Sequence, residues 1–236
     1  MKLNLLTDAL FPRRCPVCHD IVLPKGELIC PGCVSRLHFI KAPFCHKCGK
    51  EIPGELEEYC YDCSKHHRSF EYGRALVSYT DVARDSMVKI KYKNKREYLD
   101  FYIEAIVLRY GKVITNMKAD ALVPIPVHPS RLRVRGFNQA GILAEGIGKK
   151  LEIPVRQDLL FRTRRTAPQK SLTPQERLKN LERAFEAGEI PCGIRSVILV
   201  DDIYTTGSTM EACTRVLKKA GVKNVYFITI SIGGER

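Results

Sequence analysis

Four Cys-x-x-Cys pairs dominate the N-terminal part of the chain: Cys15 and Cys18, Cys30 and Cys33, Cys45 and Cys48, Cys60 and Cys63. Each pair begins fifteen residues after the one before it. Two thiolates on one tight turn can reach the same ion. Zn2+ takes four such ligands tetrahedrally, so two pairs close one site and the array predicts two. A redox site would need one pair, which sets that chemistry aside. Pro16, Pro31, Gly32 and Gly49 supply turn-forming backbone in or beside the pairs. Aliphatic residues are few here, so metal is expected to supply much of the folding energy. Neighbouring pairs are the expected partners: Cys15, Cys18, Cys30 and Cys33 on one ion, the other four on the second. A cross-braced arrangement is the alternative. An ion ligated by four thiolates has no open coordination position, so its expected role is structural. His19, His46, His66 and His67 read as surface residues, because thiolates already fill both sites. Cys213 shares a helical stripe with Met210, Leu217 and Ala220 and reads as a core thiol.

In a reducing compartment such as the cytosol, thiols stay reduced, so the ten cysteines need an explanation other than disulfides. No run approaches the eighteen or so apolar residues of a membrane span. The opening MKLNLLTDALFPRRC lacks the pattern of a signal peptide, so a cytoplasmic location is expected. The 236 residues suit a medium domain plus a small one, with boundaries expected at 1–68 and 69–236. Lys and Arg number 39 against 26 Asp and Glu, a net +13. That excess favours polyanions such as nucleic acid or phosphorylated metabolites.

Beyond Cys63, SKHHRSFEYG reads as a linker or first loop. Ala75 to Thr80 has strand character, and Asp81 is placed to cap a helix running through KIKY. A second helix is expected to end at Gly111. Ala121 to Val127 reads as a buried strand followed by an Arg- and Pro-rich loop. GFNQAGILAEGIGKKL has helical apolar spacing at Phe137, Ala140, Leu143, Ile147 and Leu151. Thr173 and Glu176 form a capping-box start for another helix. Ser196 to Val200 is a strand, Gly207 to Ala220 a helix closed by Gly221, and Asn224 to Ile232 a last strand. Strands alternating with helices predict an α/β fold with a mostly parallel sheet flanked by helices.

The segment Val197 to Met210 reads VILVDDIYTTGSTM. Ligands of open α/β sheets bind beyond the carboxyl ends of strands, which puts Asp201 and Asp202 at such a mouth. Thr205 to Thr209 then lead into a helix whose free N–H groups suit an anion, with Gly207 allowing close approach. A phosphate fits that loop, and the carboxylates repel it. They must face sugar hydroxyls or a metal ion. A sugar phosphate satisfies both halves.

VILVDDIYTTGSTM resembles the signature of type I phosphoribosyltransferases, which bind 5-phosphoribosyl 1-pyrophosphate (PRPP). That likeness implies that Asp201 and Asp202 hold the ribose hydroxyls at the catalytic centre. It implies that Thr205, Thr206, Gly207, Ser208 and Thr209 bind the 5-phosphate. The loop with Val127, His128 and Arg131 would bind pyrophosphate with Mg2+. The segments LFPRRCPVC, IKYKNKREY, LVPIPVHPSRLRVRGFNQA and RTAPQKSLTPQERLKNLERAF, with that signature, make the whole chain similar to the ComF family of competence proteins. There a double zinc ribbon precedes a phosphoribosyltransferase domain. The resemblance implies handling of incoming single-stranded DNA during natural transformation, with competence-machinery proteins as possible partners. An active transferase with an unidentified acceptor is the alternative. Arg162, Arg164, Arg165, Gln169 and Lys170 could form a loop that closes over substrate, or could hold DNA. Lys91, Lys93, Lys95 and Arg96, with Tyr92 and Tyr98, suggest single-strand binding through phosphate charge and base stacking. A solvated helix face with inward tyrosines is the plainer reading.

Overall fold

The computed structural model describes residues 12–164 and 174–233. Arg165, Gln169, Lys170 and Thr173 lie outside the described residues. Four strands, β1 (Gly73–Ser78), β2 (Ala121–Pro124), β5 (Ser196–Tyr204) and β6 (Asn224–Ile232), form a parallel sheet in the order β1-β6-β5-β2. Two short strands, β3 (Leu160–Arg162) and β4 (Phe185–Ala187), pair as a separate antiparallel hairpin. The fold class expected from the alternation of elements is therefore observed. Among the described residues, no helix is long and apolar enough to cross a membrane.

A parallel sheet needs both faces covered, and the central strands are apolar almost throughout for that reason. Along β5, Ile198 and Val200 enter one core while Val197 and Leu199 enter the other, the period-two alternation of a strand. Helices α3 (Asp81–Tyr92), α4 (Tyr98–Asn116) and α6 (Gln139–Leu151) supply the first core, through residues such as Ile90, Ile106 and Ile147. Helix α8 (Ser208–Lys219), the hairpin and part of α7 (Pro174–Glu182) supply the second, with Leu217, Phe185 and Leu178. Two short helices, α1 (Pro31–Val34) and α2 (Tyr61–Lys65), belong to the cysteine-rich segment, and α5 (Pro129–Arg135) follows β2.

The cysteine-rich segment straddles edge strand β1. The Ile40 N–H donates to the Leu76 carbonyl at 3.1 Å and the Ser78 N–H to the His38 carbonyl at 2.8 Å. These bonds occupy the edge that would otherwise be open to another chain. Cys15, Val17 and Val22 pack into the core of α3 and α4, whereas Cys45, Cys48 and Ile52 pack into the core of α8.

Several boundaries differ from expectation. Strand β5 continues through Asp201 and Asp202 to Tyr204, because β6 stays in register beside it and pairs Thr229 with Asp201 and Ser231 with Ile203. Strand β2 stops at Pro124, and the expected loop after it contains α5. Pro129 starts that helix and the His128 ring accepts from the Ser130 N–H at 3.2 Å. Helix α4 runs past Gly111 to Asn116, since buried Ile114 and Met117 anchor the extra turn. Thr80, rather than Asp81, caps α3. The presumed linker is pinned: the Glu71 N–H donates to the Val225 carbonyl at 2.8 Å and Phe70 is fully buried.

An aromatic group fills the second core beside β1. Phe227 stacks on Tyr204 with ring centroids 5.0 Å apart and meets Phe70 edge-on at 5.0 Å. Gly73 leaves room for the Phe227 ring, which a Cβ there would overlap. Truncating Phe227→Ala is expected to cost about 3–5 kcal/mol of unfolding free energy, measured by denaturant titration. A loss below about 1 kcal/mol would mean that this cluster carries little of the core.

Candidate functional site

Both carboxylates sit within β5, where neighbouring side chains project to opposite faces. Asp202 turns to the face of α3 and α6 and is only 4% exposed. Its Oδ1 accepts a hydrogen bond from Gln139 Nε2 at 3.1 Å, and its Oδ2 forms an ion pair with the Lys91 ammonium. Gln139 is in turn held by a donor from Arg135. Burial would raise the Asp202 pKa, but the Lys91 charge and these donors hold it below the usual carboxylate value. Asp201 forms no ion pair among the described residues, although Lys91 and Arg162 act on it electrostatically. Burial, reinforced by the Asp202 charge, pushes its pKa well above the usual range. Protonation of the pair is therefore favoured at Asp201, whose Oδ1 accepts from the Asp202 N–H at 2.8 Å.

After Tyr204 the chain turns sharply into α8. Gly207 adopts a left-handed conformation (φ 75°) and stands as the N-cap without a side-chain capping bond. The first-turn N–H groups of α8 are thus left for another acceptor. Thr205 and Thr206 are exposed, Ser208 and Thr209 half-buried, and the Thr206 and Ser208 hydroxyls lie 2.9 Å apart. A side chain at 207 would collide with the ring and hydroxyl of Tyr204. Glycine is needed there for both its backbone angle and that contact.

The other residues singled out from sequence surround this centre. Val127 and His128 are half-buried, and His128 caps α5. Arg131, on that helix, is exposed and lines a pocket of about 420 Å3 between α3 and α5, with Lys91, Tyr92, Asn94, Val134 and Arg135. Of the basic row, Lys91 is drawn inward to Asp202. Lys93 is exposed, Lys95 pairs with Glu97 at 3.4 Å, and Arg96 lies over the Phe137 ring at 4.3 Å. Tyr98 is 1% exposed, so its ring packs in the core and is closed to a base; Tyr92 remains exposed. Asn138 caps α6, its Oδ1 accepting from the Ala140 N–H at 3.2 Å. The buried bond from Gln139 to Asp202 spans 63 positions, and no local pattern signals it.

The cysteines form two clusters, Cys15, Cys18, Cys30 and Cys33, and Cys45, Cys48, Cys60 and Cys63. Neighbouring pairs thus combine. Within each cluster all sulfurs lie within 4.8 Å of one another. A tetrahedral Zn2+ with Zn–S bonds of about 2.3 Å requires sulfurs about 3.8 Å apart. Cys18 and Cys30 sulfurs are 3.9 Å apart and Cys48 and Cys60 sulfurs 3.6 Å, so the donor sets fit structural zinc. The two knuckles repeat the same backbone bonds, Cys15 N–H to the Asp20 carbonyl at 2.8 Å and Cys45 N–H to the Lys50 carbonyl at 2.7 Å. At equivalent places stand His19 (φ 67°) and Gly49 (φ 78°). His19 accepts this unfavourable angle while its ring joins Tyr98 Oη at 3.2 Å and Asp85 Oδ2 at 2.6 Å, tying the first knuckle to α3 and α4.

Cys45→Ser should lower the metal content of the purified protein by one equivalent and loosen the second knuckle; an unchanged zinc count would remove Cys45 as a ligand. The acid pair makes a different prediction. Because the folded-state pKa of Asp201 is raised, the native protein holds a proton that the unfolded chain releases above about pH 3.9. Stability is therefore lost as pH rises from there. Asp201→Asn should raise the unfolding midpoint by about 4 °C at about pH 8, with the gain vanishing toward about pH 4. A gain independent of pH would contradict the assignment of the proton.

Comparison with known proteins matches residues 6–64 to a double zinc ribbon domain and residues 133–235 to a phosphoribosyl transferase domain. Relatives align along nearly the whole length. Competence protein F of Haemophilus influenzae is 28% identical, covering 91% of this chain and 95% of its own. Competence protein ComFC of Bacillus subtilis is 28% identical, covering 92% and 89%. DNA utilization protein YhgH of Escherichia coli O157:H7 is 34% identical, covering 91% and 94%. Among solved structures, a purine phosphoribosyltransferase from Pyrococcus horikoshii aligns with 57% of this chain and 87% of its own, at 16% identity and a TM-score of 0.32. With its paired zinc-ribbon clusters, its parallel sheet and its full-length relatives, the chain belongs to the ComF family of competence proteins.

Proposed function

We propose that the protein binds Mg2+-PRPP at the end of β5 and acts in the cytoplasm on incoming single-stranded DNA during DNA uptake, alongside other competence-machinery proteins. The observation that carries this reading is the joining of an acid pair to an uncapped helix start within one strand–turn–helix unit. The α8 first-turn N–H groups and the hydroxyls of Thr205, Thr206, Ser208 and Thr209 take the 5-phosphate. Asp201, which the Lys91 ion pair leaves free for a ligand, loses its proton on binding and accepts from ribose hydroxyls. Asp202 is already engaged by Lys91 and Gln139 and sets the charge and position of the site. Val127, His128 and Arg131 face the pyrophosphate, and Mg2+ arrives with it, offsetting its charge. The names of the relatives, competence and DNA utilization proteins, support the DNA role. Exposed Lys93, Arg133 and Tyr92 supply charge and a stacking face for a single strand, with Lys95 and Arg96 beside them.

The pocket between α3 and α5 favours a second reading. It opens beside Lys91 and gives space for an acceptor next to the ribose. In that reading an acceptor nucleophile forms the new bond to ribose C1 as the bond to pyrophosphate breaks, and pyrophosphate leaves.

Calorimetry with Mg2+-PRPP, with and without single-stranded DNA, tests the proposal. The double variant Asp201→Asn, Asp202→Asn should keep the fold and lose at least about 100-fold in PRPP affinity. Unchanged affinity would remove the assignment. Steady pyrophosphate release in the same samples would select the transferase reading.

A further inference from the structure

The segment leaving the second cysteine cluster runs directly to the phosphate loop. Arg68 Nη2 donates to the Thr206 carbonyl at 2.8 Å, across 138 positions of sequence. Two neighbouring bonds fix the arginine there. The Ser69 N–H donates to Glu211 Oε2 at 2.7 Å and the Ser69 hydroxyl to Glu211 Oε1 at 2.6 Å. Glu211 is fully buried in the first turn of α8. The next residue, Phe70, is fully buried against Tyr204 and Phe227. Arg68 is thus held beside the loop by anchors on both the helix and the core.

Its hydrogen bonding is incomplete. A guanidinium carries five N–H donors. Among the described residues, Nε is buried and has no partner. The Tyr204 hydroxyl, against which Gly207 packs, is a second buried polar atom without a partner at the same turn. Buried donors left unpaired are costly, and in a site built to recognise an anion that cost is recovered on binding. Here they border a helix start that itself lacks a cap.

We infer that Arg68, contributed from outside the strand–turn–helix unit, is a binding residue for the 5-phosphate of the sugar phosphate. The inference rests on the PRPP reading above and deepens it. One face of the phosphate meets the N–H groups of the α8 start, and the guanidinium supplies a fixed positive charge from the side of the zinc ribbon. The ribbon segment then completes the ligand site in addition to covering the sheet edge.

The test uses the full-length, zinc-loaded protein and three probes in separate titrations: ribose 5-phosphate, Mg2+-pyrophosphate and Mg2+-PRPP. Arg68→Gln should weaken ribose 5-phosphate and PRPP by about 10- to 100-fold and leave Mg2+-pyrophosphate unchanged. Arg68→Lys should recover part of the loss. The salt dependence of ribose 5-phosphate binding should become shallower in Arg68→Gln, a change that a purely structural contact with Thr206 would not produce. Equal affinities for Arg68→Gln and wild type would overturn the inference and leave the PRPP reading standing. So would an equal loss for all three probes, which marks a general distortion. Failure of the wild-type protein to bind ribose 5-phosphate or PRPP would overturn the PRPP reading, and this inference with it.

Discussion

Two adjacent carboxylates, one buried and one half-buried, repel each other when both are ionised, and this constraint organises the centre of the molecule. Removing a carboxylate from water costs several kcal/mol unless charge and hydrogen bonds compensate. Compensation for Asp202 comes from three elements: Lys91 at the end of α3, Gln139 at the start of α6, and Arg135 at the end of α5 holding Gln139. The same α3 and α6 cover one face of the sheet with Ile90 and Ile147. Packing the hydrophobic face and neutralising the acid are therefore one event. Asp201, which forms no ion pair among the described residues, has its pKa pushed up instead.

The cysteine-rich segment obeys the same logic of placement. A four-stranded parallel sheet has two exposed edges, and residues 38–40 close the one at β1. At β2 the Leu122 N–H donates to the Pro154 carbonyl at 2.8 Å, covering the other. Each cysteine cluster then serves a different face of the sheet, the first joined to α3 and α4 through His19, the second to the core of α8. Too poor in aliphatic side chains to hold a core by itself, the segment gains rigidity from thiolate–metal bonds and passes it to the elements it touches.

What the sequence made legible was what is local. The four CxxC turns and their fit to two four-thiolate sites were legible from spacing, and the clusters select neighbouring over cross-braced pairs; β6 has its expected bounds because β-branched and aromatic residues dominate it. The turn at Thr205 to Thr209 was legible because glycine and hydroxyl residues have few other reasons to follow a strand. Misjudged elements share a physical cause. Asp201 and Asp202 read as a strand terminus, yet backbone pairing to β6 tolerates any side chain whose charge is met elsewhere. A glycine in α4 read as a stop, yet tertiary burial of Ile114 outweighs a propensity cost of about 1 kcal/mol. The Pro- and Arg-rich stretch read as a loop, although proline at the first helical position favours a helix. Lys91, Gln139 and Arg68 reach partners far away in sequence, so periodicity and motif spacing carry no trace of them.

Charge of both signs at one site explains why a strongly basic chain keeps its acids where it does. A basic surface alone would hold any polyanion and discriminate poorly among them, since phosphate contacts carry position more than identity. A buried carboxylate next to an anion-binding helix start demands a ligand with phosphate at one end and hydroxyl donors, or a cation, at the other. The excess of basic residues, 39 against 26, includes exposed arginines on α5 and one lysine turned inward to Asp202. Placing Lys91 there balances one carboxylate, and in the proposed PRPP reading it leaves Asp201 as the group open to the ribose hydroxyls.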